Sequence, residues 1–436
     1  MASAYLTRTP SSAGNRKTWT WSSWCKFSQN SNIDTLLSVG ADSNNRTKII
    51  RNNVQNGDIR FLYSVGGVQY DLATSALYRD VSAWYHIVVA VDTTQSTSSN
   101  RVKIYINGEQ ISAFDTENYL PQNTDTDINT TNAHYIGRYS YSASNYMDGS
   151  MAHVHFVDGI QYPASTFGQT DATTGIWTPK TAPSVTYGTN GFFLKFDNSG
   201  NIGLDSSGNS NNWTTNGTII QNKDTPSNVF ATGNILIPGT TLTQGNLTIS
   251  APSNYSRSAF STLAVSKGKW YFEMKPSGSA GMMGVCDVTQ VAFTEHIGVP
   301  SRGYGYNFNG QRYNNNTSYS WGNTFGSGDI IGCALDLDNN KIYFSKNGTW
   351  QESGDPTSGA TGTGSAFDIA SGYDYSLAFH AYSGSTTNAN FGNGYFGTTF
   401  VTSAQNPDDG NGIFEYDVPA GYRALCTKSI NAEEYS

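Results

Sequence analysis

The sequence has few charged residues. Asp, Glu, Lys and Arg make up only 13% of its 436 residues, and 33 acidic against 25 basic side chains leave a formal net charge of −8. Nucleic acid is therefore not expected as a partner, because binding phosphates requires a basic surface. Disorder is excluded as well, since the chain contains 27 Tyr and 21 Phe, whereas disordered segments combine few aromatic residues with many charges.

Long apolar runs are also missing. Since no run approaches the roughly 18 apolar residues that a membrane span needs, we expect no membrane insertion. A basic segment followed by a short apolar one is absent too, so no signal peptide is expected. No long helical pattern is present, and neither heptads nor a collagen repeat occurs that would enforce a trimer.

Cysteine is scarce. The chain contains four cysteines, and they lie far apart at Cys25, Cys286, Cys333 and Cys426. This spacing excludes a zinc site of the Cys-x-x-Cys kind. All but Cys426 lie in apolar, strand-like runs, so we expect small buried hydrophobic residues rather than ligands.

The chain does contain many short alternating segments bounded by Gly, Asn or Asp. The clearest lies between Gly328 and Gly348, where apolar residues alternate over 331–337 and again over 341–345. Asp338–Asn340 supplies residues that favour a turn. Alternation of this kind predicts two antiparallel strands with one buried face, and it places Tyr343 on the opposite face.

This hairpin resembles the centre of the SPRY domain. From Gly328 the residues match "GD-x-I-G-x-x-L-D", and from Lys341 they match "K-I-x-F-x-K-N-G". Two further strings resemble the same family in the same order, "G-K-W-Y-F-E" within Lys267–Glu273 and "G-Y-G" within Gly303–Tyr306. The resemblance implies a SPRY-like β-sandwich in the second half of the chain.

The first half resembles the laminin-G-like and pentraxin-like sandwiches. The segments Trp84–Asp92 and Arg101–Gly108 match two neighbouring strands of these families, and Asp148–Gly159 matches their closing strand. His86 is expected to be a strand residue. His153 and His155 share one strand face, which favours a hydrogen-bonded surface and leaves a metal site as the alternative.

We therefore predict an all-β protein with two concanavalin A-like antiparallel β-sandwich (jelly-roll) domains. The predicted segments are a laminin-G-like sandwich at 1–185, a connecting segment with an Asp- and Asn-rich loop at 186–235, and a SPRY-like sandwich at 236–436. Trp19 and Trp21 share one face of a predicted strand that also contains Trp24, and because such a strand is half-buried we expect core residues rather than a sugar-binding platform.

Almost the whole chain also resembles structural proteins of tailed bacteriophages, marine ones in particular. The strings that carry this resemblance are Tyr5–Pro10, Asn15–Ser22, Asp205–Trp213, Asp224–Asn228 and Pro419–Thr427. The resemblance implies a virion protein made in the host cytoplasm, with other virion proteins as partners. We expect an adhesin of a tail fibre, tail tip or capsid fibre that recognises a host surface glycan or protein; a decoration or connector protein is the alternative. Fibre proteins are commonly symmetric, so a homo-oligomer, with a trimer favoured, is also expected.

An enzyme is not expected. Because the concanavalin A-like class includes glucanases, glycan hydrolysis remains a minor alternative, but it needs two carboxylates flanking the scissile bond. Glu273 has no acidic residue two or four positions away. Neither a Gly-x-Ser-x-Gly nor a His-Glu-x-x-His string occurs.

A recognition surface is predicted in the second half, where aromatic and amide side chains cluster around Asn- and Gly-rich turns. Tyrosine and tryptophan give large contact areas at low entropic cost, and amides give adaptable hydrogen bonds. The alternative is that half of these rings belong to the core. The candidates are Tyr304, Tyr306, Phe308, Asn309, Arg312, Tyr313, Tyr319 and Trp321.

Calcium is the only cofactor that the sequence suggests. Asp197 and Asp205 flank a loop of Ser, Gly and Asn that resembles a loop of laminin-G-like modules, some of which bind calcium. Carboxylate and amide oxygens are suitable ligands. The alternative is a set of Asx turns that needs no ion.

Overall fold

The protein folds into two compact units, Met1–Gln221 and Asn222–Ser436. The structure, a computed structural model, describes residues 3–52, 57–237, 241–278 and 280–434. The predicted segments 1–185 and 236–436 each include residues outside these ranges.

The strands of the first unit are short and lie close together along the chain. They are β1 (Tyr5–Arg8), β2 (Thr18–Phe27), β3 (Ile33–Gly40), β4 (Arg46–Asn52), β5 (Asp58–Val65), β6 (Val68–Thr74), β7 (Tyr85–Asp92), β8 (Val102–Ile106), β9 (Glu109–Gln110), β10 (Phe114–Glu117), β11 (His134–Ile136), β12 (Gly149–Asp158), β13 (Gly168–Thr170), β14 (Trp177–Pro179), β15 (Phe192–Leu194) and β16 (Thr214–Asn216).

Two antiparallel sheets build this unit. Among its described residues, eight strands pair in the order β10–β6–β5–β4–β3–β11–β1–β16 and six in the order β15–β12–β2–β7–β8–β9, while β13 pairs with β14. Alternate residues of both sheets meet in one buried apolar cluster, which includes Trp21 on β2, Ile49 on β4 and Val89 on β7. Removing this apolar area from water is the main term that stabilises the sandwich.

The tryptophans of β2 are core residues, as predicted. Trp19 and Trp21 are fully buried in the apolar cluster. Trp24 lies on the other face of β2 and stacks on His86 at 4.8 Å between ring centroids. The Trp177 indole can only donate, and it does so to Nδ1 of His86 at 3.0 Å. The ring proton of His86 is therefore on Nε2, which donates to Ser22 Oγ at 2.9 Å. His86 is therefore a neutral core histidine.

The segment that we predicted as a connection, 186–235, is divided between the two units. β15 pairs with β12, and β16 pairs with β1. Phe192 and Leu194 of β15 are buried in the first unit's apolar cluster. The unit boundary falls between Gln221 and Asn222, so residues 186–221 complete the first unit.

The second unit is built in the same way from short strands. They are β17 (Leu242–Thr243), β18 (Thr248–Ser250), β19 (Ser256–Val265), β20 (Lys269–Pro276), β21 (Met282–Asp287), β22 (Gly303–Asn307), β23 (Gln311–Asn314), β24 (Thr317–Ser320), β25 (Ile331–Asp336), β26 (Lys341–Lys346), β27 (Thr349–Trp350), β28 (Phe367–Asp368), β29 (Tyr375–Tyr382), β30 (Thr386–Asn390), β31 (Tyr395–Phe396), β32 (Thr399–Phe400) and β33 (Arg423–Ala424), followed by the helix α1 (Thr427–Glu434).

Two large sheets again dominate. Within the described part of this unit, one follows the order β17–β18–β30–β20–β25–β26–β27, with β28 beside β26 and β33 beside β20, and the other the order β19–β29–β21–β22–β23–β24; β31 pairs with β32. The pairs are antiparallel except that β33 runs parallel to β20. No helix in the described ranges is long and apolar enough to span a membrane.

The predicted central hairpin is confirmed as β25 and β26. Cys333 lies opposite Phe344 and Leu335 opposite Ile342, so the predicted apolar face is correct. The prediction of only one buried face was wrong, because Tyr343 on the other face is 1% exposed. The C-terminal residues Phe414 and Tyr422 cover it, together with other members of a second apolar cluster.

The cysteines are small buried residues, as expected. Cys25, Cys286, Cys333 and Cys426 are all free thiols and all buried. The fold therefore depends on apolar burial and hydrogen-bonded ladders.

Candidate functional site

The predicted recognition residues lie on and after a three-stranded meander, β22–β23–β24, at one edge of the six-stranded sheet of the second unit. Tyr306 on β22 lies opposite Arg312 on β23, and Arg312 lies opposite Tyr319 on β24. Directly opposite residues share a face. The meander therefore brings these three side chains together in one row.

Burial divides the eight predicted residues into three groups. Tyr304 and Tyr306 are core residues, 5% and 0% exposed, and so do not belong to a surface. Phe308, Arg312, Tyr313 and Trp321 are partly buried, whereas Asn309 and Tyr319 are exposed. The alternative that some of these rings belong to the core is correct for the tyrosines of β22, because β22 is an interior strand while β24 is the edge.

Arg312 is held in place between two rings. Its guanidinium carbon lies 5.7 Å from the ring centroid of Tyr319 and 5.1 Å from that of Phe367. Nη1 donates to the carbonyl oxygen of Ala366, and Nε is buried without a hydrogen-bond partner. Cation–π contacts of this kind contribute about 0.5–1 kcal/mol at exposed sites. They fix the orientation of a side chain that would otherwise have many rotamers.

Trp321 is fixed as well. Its ring packs edge-on against Tyr306 at 5.3 Å and Phe344 at 6.0 Å between centroids. The hydroxyl of Tyr306 donates to the carbonyl oxygen of Asn323, and Oε1 of Gln351 accepts from the backbone N–H of Asn323 at 2.8 Å. Trp321 thus rests on a rigid base with part of its ring exposed. We call Arg312, Tyr319 and Trp321 the edge surface.

Two predicted residues lie on other parts of the meander. Tyr313 faces away from Arg312, packs against His296 at 5.0 Å and donates to Oε1 of Gln311. Burial lowers the pKa of His296. Asn309 caps the β22–β23 turn, where its Oδ1 accepts from the backbone of Gln311. These residues stabilise the meander from its opposite face.

Sequence reasoning missed Phe367 and Gln351. Both support the edge surface from chain segments far from residues 304–321, and each lies in a short element with no strand-like alternation. Only the pairing of β28 with β26 brings Phe367 under Arg312. No local signal in the sequence could have found either residue.

The predicted calcium ligands do not fit a calcium ion. The carboxylate of Asp205 already accepts four hydrogen bonds of 2.8–2.9 Å, from the backbone N–H groups of Phe193, Ser207 and Asn211 and from the hydroxyl of Ser207. Its oxygens thus face donors, whereas calcium needs about six to eight oxygen ligands. Asp197 is exposed. Across the described ranges, no group of three or more His, Cys, Asp or Glu could hold a metal ion.

The two histidines of β12 are separated by a bulge. His153 has a φ of 47°, and the pairing of β12 with β2 shifts between Ala152 and His155. His155 is buried, stacks on Phe193 at 3.9 Å between centroids and bonds to the Tyr187 hydroxyl at 2.8 Å. Both imidazoles nevertheless contact one ring, because His153 also packs against Phe193, at 5.8 Å between centroids.

Glu273 is fully buried and acts as a clamp on the C-terminal part of the chain. Its carboxylate accepts from the backbone N–H groups of Glu415 and Tyr416, each at 2.9 Å, from the Tyr271 hydroxyl at 3.2 Å and from Asn390 Nδ2 at 3.3 Å. Burial raises the pKa of Glu273 to about 7 in spite of these donors. This carboxylate has no access to a polymeric substrate.

Comparison with known families agrees with the two sandwiches. Residues 2–165 match the concanavalin A-like lectin/glucanases superfamily, and residues 269–394 match the SPRY domain. The chain carries a concanavalin A-like domain followed by a SPRY domain. The edge surface thus belongs to the SPRY domain, and the Asp205 loop follows the matched part of the concanavalin A-like domain.

Curated relatives match short segments. The chain is 39% identical over 85 residues to the ATP-dependent RNA helicase Ddx1 of Drosophila melanogaster, covering 19% of this chain and 11% of that protein. It is 30% identical over 137 residues to the E3 ubiquitin-protein ligase RKP of Arabidopsis thaliana, covering 31% and 10%. The chain therefore spans about a tenth of the length of these relatives.

Solved structures that match part of the chain include SPRY domains. The SPRY domain of human HERC1 matches with 18% sequence identity and a TM-score of 0.27, covering 33% of this chain and 87% of that one. Stonustoxin matches with 16% identity and a TM-score of 0.28, covering 37% of this chain and 27% of that one.

Proposed function

We propose that the protein is a non-enzymatic component of a tailed-bacteriophage virion and attaches to the host cell surface through its SPRY domain. The observation that carries the proposal is the edge surface, in which an exposed tyrosine, an arginine and a tryptophan lie together at an uncovered strand edge. Arginine, tyrosine and tryptophan dominate the binding energy of recognition surfaces. The strings that resemble those of phage structural proteins support the virion location.

Rigidity supports recognition by this surface. Arg312 is held between two rings and by the Ala366 carbonyl, and Trp321 packs on Tyr306 and Phe344. A side chain that is ordered before binding loses less entropy on binding, so more of the contact energy contributes to affinity. Every residue of β24 is exposed, which leaves the surface accessible to a glycan or a protein.

Cell labelling tests the proposal. Fluorescently labelled protein should bind cells of the host bacterium or their surface polysaccharide, and Tyr319→Ser should weaken this binding about tenfold, as expected for a central aromatic contact. Tyr255→Ser is the matched control, because Tyr255 is also exposed and also packs on an arginine, Arg257, at 5.2 Å. It lies just before β19, at the other edge of the same sheet.

Other outcomes separate the alternatives. Protein that binds purified virions but not host cells would indicate a decoration or connector protein. Steady release of reducing ends from host glycans would indicate a hydrolase and contradict the non-enzymatic proposal.

Self-assembly belongs to the same proposal. A symmetric homo-oligomer, with three copies favoured, would turn weak glycan contacts into avid attachment. Light scattering at micromolar concentration should give a mass of several chains, and a monomer mass would contradict assembly of the isolated protein.

A further inference from the structure

A cluster of charged residues lies on the outer face of the eight-stranded sheet in the first unit. Arg46 and Lys48 on β4 lie opposite Ser64 and Leu62 of β5, and Leu62 lies opposite Asp71 of β6. Ile49, which alternates with Lys48, belongs to the apolar core. These charged side chains therefore point away from the core.

Tyrosines from the segment 137–147 cover this face. The ring centroid of Tyr141 lies 5.2 Å from the guanidinium carbon of Arg46, and the hydroxyl of Tyr139 accepts from Lys48 Nζ at 2.8 Å. The segment is attached to β3 by hydrogen bonds from Thr35 Oγ1 to Asn145 O at 2.7 Å and from Ser140 N to Ser38 Oγ at 3.2 Å. Tyr141 itself is only partly buried.

Arg46 is buried without a hydrogen-bonded carboxylate. It is 7% exposed, and its Nε and Nη1 atoms are buried with no hydrogen-bond partner. Within the described residues no salt bridge joins Arg46 or Lys48 to a carboxylate, although Asp71 acts electrostatically on Lys48. Asp42 is close enough to interact electrostatically, but its carboxylate caps the turn at Asn44 and Asn45.

Such an arrangement is costly in a folded protein, because buried charges are normally paired. Arg60 on the same face shows the usual solution, with salt bridges of 2.7 Å to Asp58 and 3.1 Å to Asp71. Burial, with Arg46 as the next cause, lowers the pKa of Lys48 to about 8. A negatively charged group beside Arg46 and Lys48 would pair with the buried charge of Arg46 and raise the pKa of Lys48.

An unpaired acceptor lies near these donors. Oδ1 of Asp71 is buried without a hydrogen-bond partner, while Oδ2 binds Arg60. Asp71 and Lys48 lie two strands apart, about 10 Å between their backbones, and their charged groups already interact. The two cations and this acceptor together suit a ligand that carries both an oxyanion and a hydroxyl group.

We propose that this face binds the sugar unit of an acidic polysaccharide, with the carboxylate of the sugar on Arg46 and Lys48 and a hydroxyl group donating to Asp71. The rings of Tyr139 and Tyr141, 5.4 Å apart between centroids, flank the cations, and Lys48 Nζ lies 4.4 Å from the centroid of the Tyr139 ring. The site lies in the concanavalin A-like domain and is independent of the edge surface.

Calorimetric titration of the full chain tests this proposal. The probes are a galacturonate hexasaccharide, its fully methyl-esterified form, which lacks the charge, and sodium sulfate, which lacks the hydroxyl groups. We expect the acid to bind at least about tenfold more tightly than the ester, because hydrogen bonds to charged groups are the strong ones. Sulfate should bind more weakly than the acid. No binding of the acid, or equal binding of acid and ester, would overturn the proposal; sulfate as tight as the acid would overturn its sugar component.

Variants assign the binding to this face. Arg46→Gln should weaken binding of the acid about tenfold or more, whereas Lys103→Gln, which removes a positive charge from β8 in the other sheet, should leave it unchanged. Arg46→Gln should melt at or above the wild-type temperature, because it removes an unpaired buried charge. If Arg46→Gln does not fold, Lys48→Gln provides the same test. Unchanged binding in the folded variant would contradict the proposal, and retained binding by Tyr319→Ser would separate this site from the edge surface.

Discussion

The role of a single carboxylate, Glu273, follows from its four hydrogen-bond donors. In Glu273→Gln the amide N–H₂ group would face the backbone N–H of Glu415 or of Tyr416. One buried donor is then left unsatisfied whichever way the amide points. We expect the free energy of unfolding of the second unit to fall by about 2–3 kcal/mol, measured by urea denaturation. The control is Glu352→Gln, which changes an exposed residue and should cost less than about 0.5 kcal/mol.

The same carboxylate should make stability depend on pH. Its pKa is raised from 4.5 to about 7 in the folded protein. Between these values the unfolded chain has lost the proton while the folded protein still holds it, so the stability that Glu273 contributes falls as the pH rises. Denaturation at several pH values should show this decline for the wild type. Glu273→Gln should reduce it, and equal slopes would contradict the prediction.

Sequence reasoning found the right segment for the edge surface but not which side chains are exposed. Tyr306 and Tyr319 are the same residue type in the same Asn- and Gly-rich stretch, yet one is fully buried and the other is 51% exposed. The difference arises because β22 is covered on both edges by β21 and β23, whereas β24 ends the sheet. Strand order depends on contacts between distant segments, which alternation within one segment does not encode.

At the scale of secondary-structure elements, the turn between β25 and β26 offers a direct test. Asn340 has a φ of 57°, a conformation that costs an ordinary residue roughly 1–2 kcal/mol and glycine almost nothing. Asn340→Val should therefore lower the free energy of unfolding by about that amount, while Asn340→Gly should leave it nearly unchanged. Urea denaturation of the two variants checks this, and equal losses for Val and Gly would show that the Asn side chain is what matters.

Elements with strict alternation were the easiest to predict. The register of β25 and β26 places Cys333 and Phe344 opposite each other, as the pattern indicated. The second buried face was missed because Tyr343, Lys341 and Ser345 look like a solvent-facing set. Phe414 and Tyr422, more than sixty positions further along the chain, cover that face.

For the whole molecule, histidine burial predicts that the two units respond differently to acid. The first unit buries His86 and His134, whose pKa values burial lowers to about 3 and about 4, and also His155. Their unfolded forms take up protons near pH 6.5, so the stability of this unit is lost as the pH falls from there. Asp34, with a pKa raised by burial to about 6, acts in the opposite direction but with a smaller shift. In the second unit, burial lowers the pKa of His380 and, less strongly, that of His296.

Thiol labelling can report this difference. Cys25 lies in the first unit, and Cys286, Cys333 and Cys426 lie in the second; all are buried. At about pH 4.5, a dithiodipyridine reagent should label Cys25 before the other three, as identified by peptide mass mapping. At neutral pH all four should react slowly. Labelling of the second unit first would contradict the predicted order.

The division into two sandwiches followed from the motifs, but the extent of the first unit did not. Phe192 and Leu194 were assigned to a connection, although the loop after them resembles a loop of laminin-G-like modules. Their burial in the first unit's cluster depends on pairing with β12, a long-range contact that composition does not show.

The covering of Tyr343 by the C-terminal residues has a consequence during synthesis. The strands β20, β25 and β26 leave the ribosome well before Phe414 and Tyr422, so the apolar face that includes Tyr271, Ala334 and Tyr343 is uncovered on the nascent chain. Uncovered apolar surface and unpaired strands promote aggregation. We therefore expect the second unit to need a chaperone for longer than the first unit. The strands of the first unit are complete once β16 has emerged.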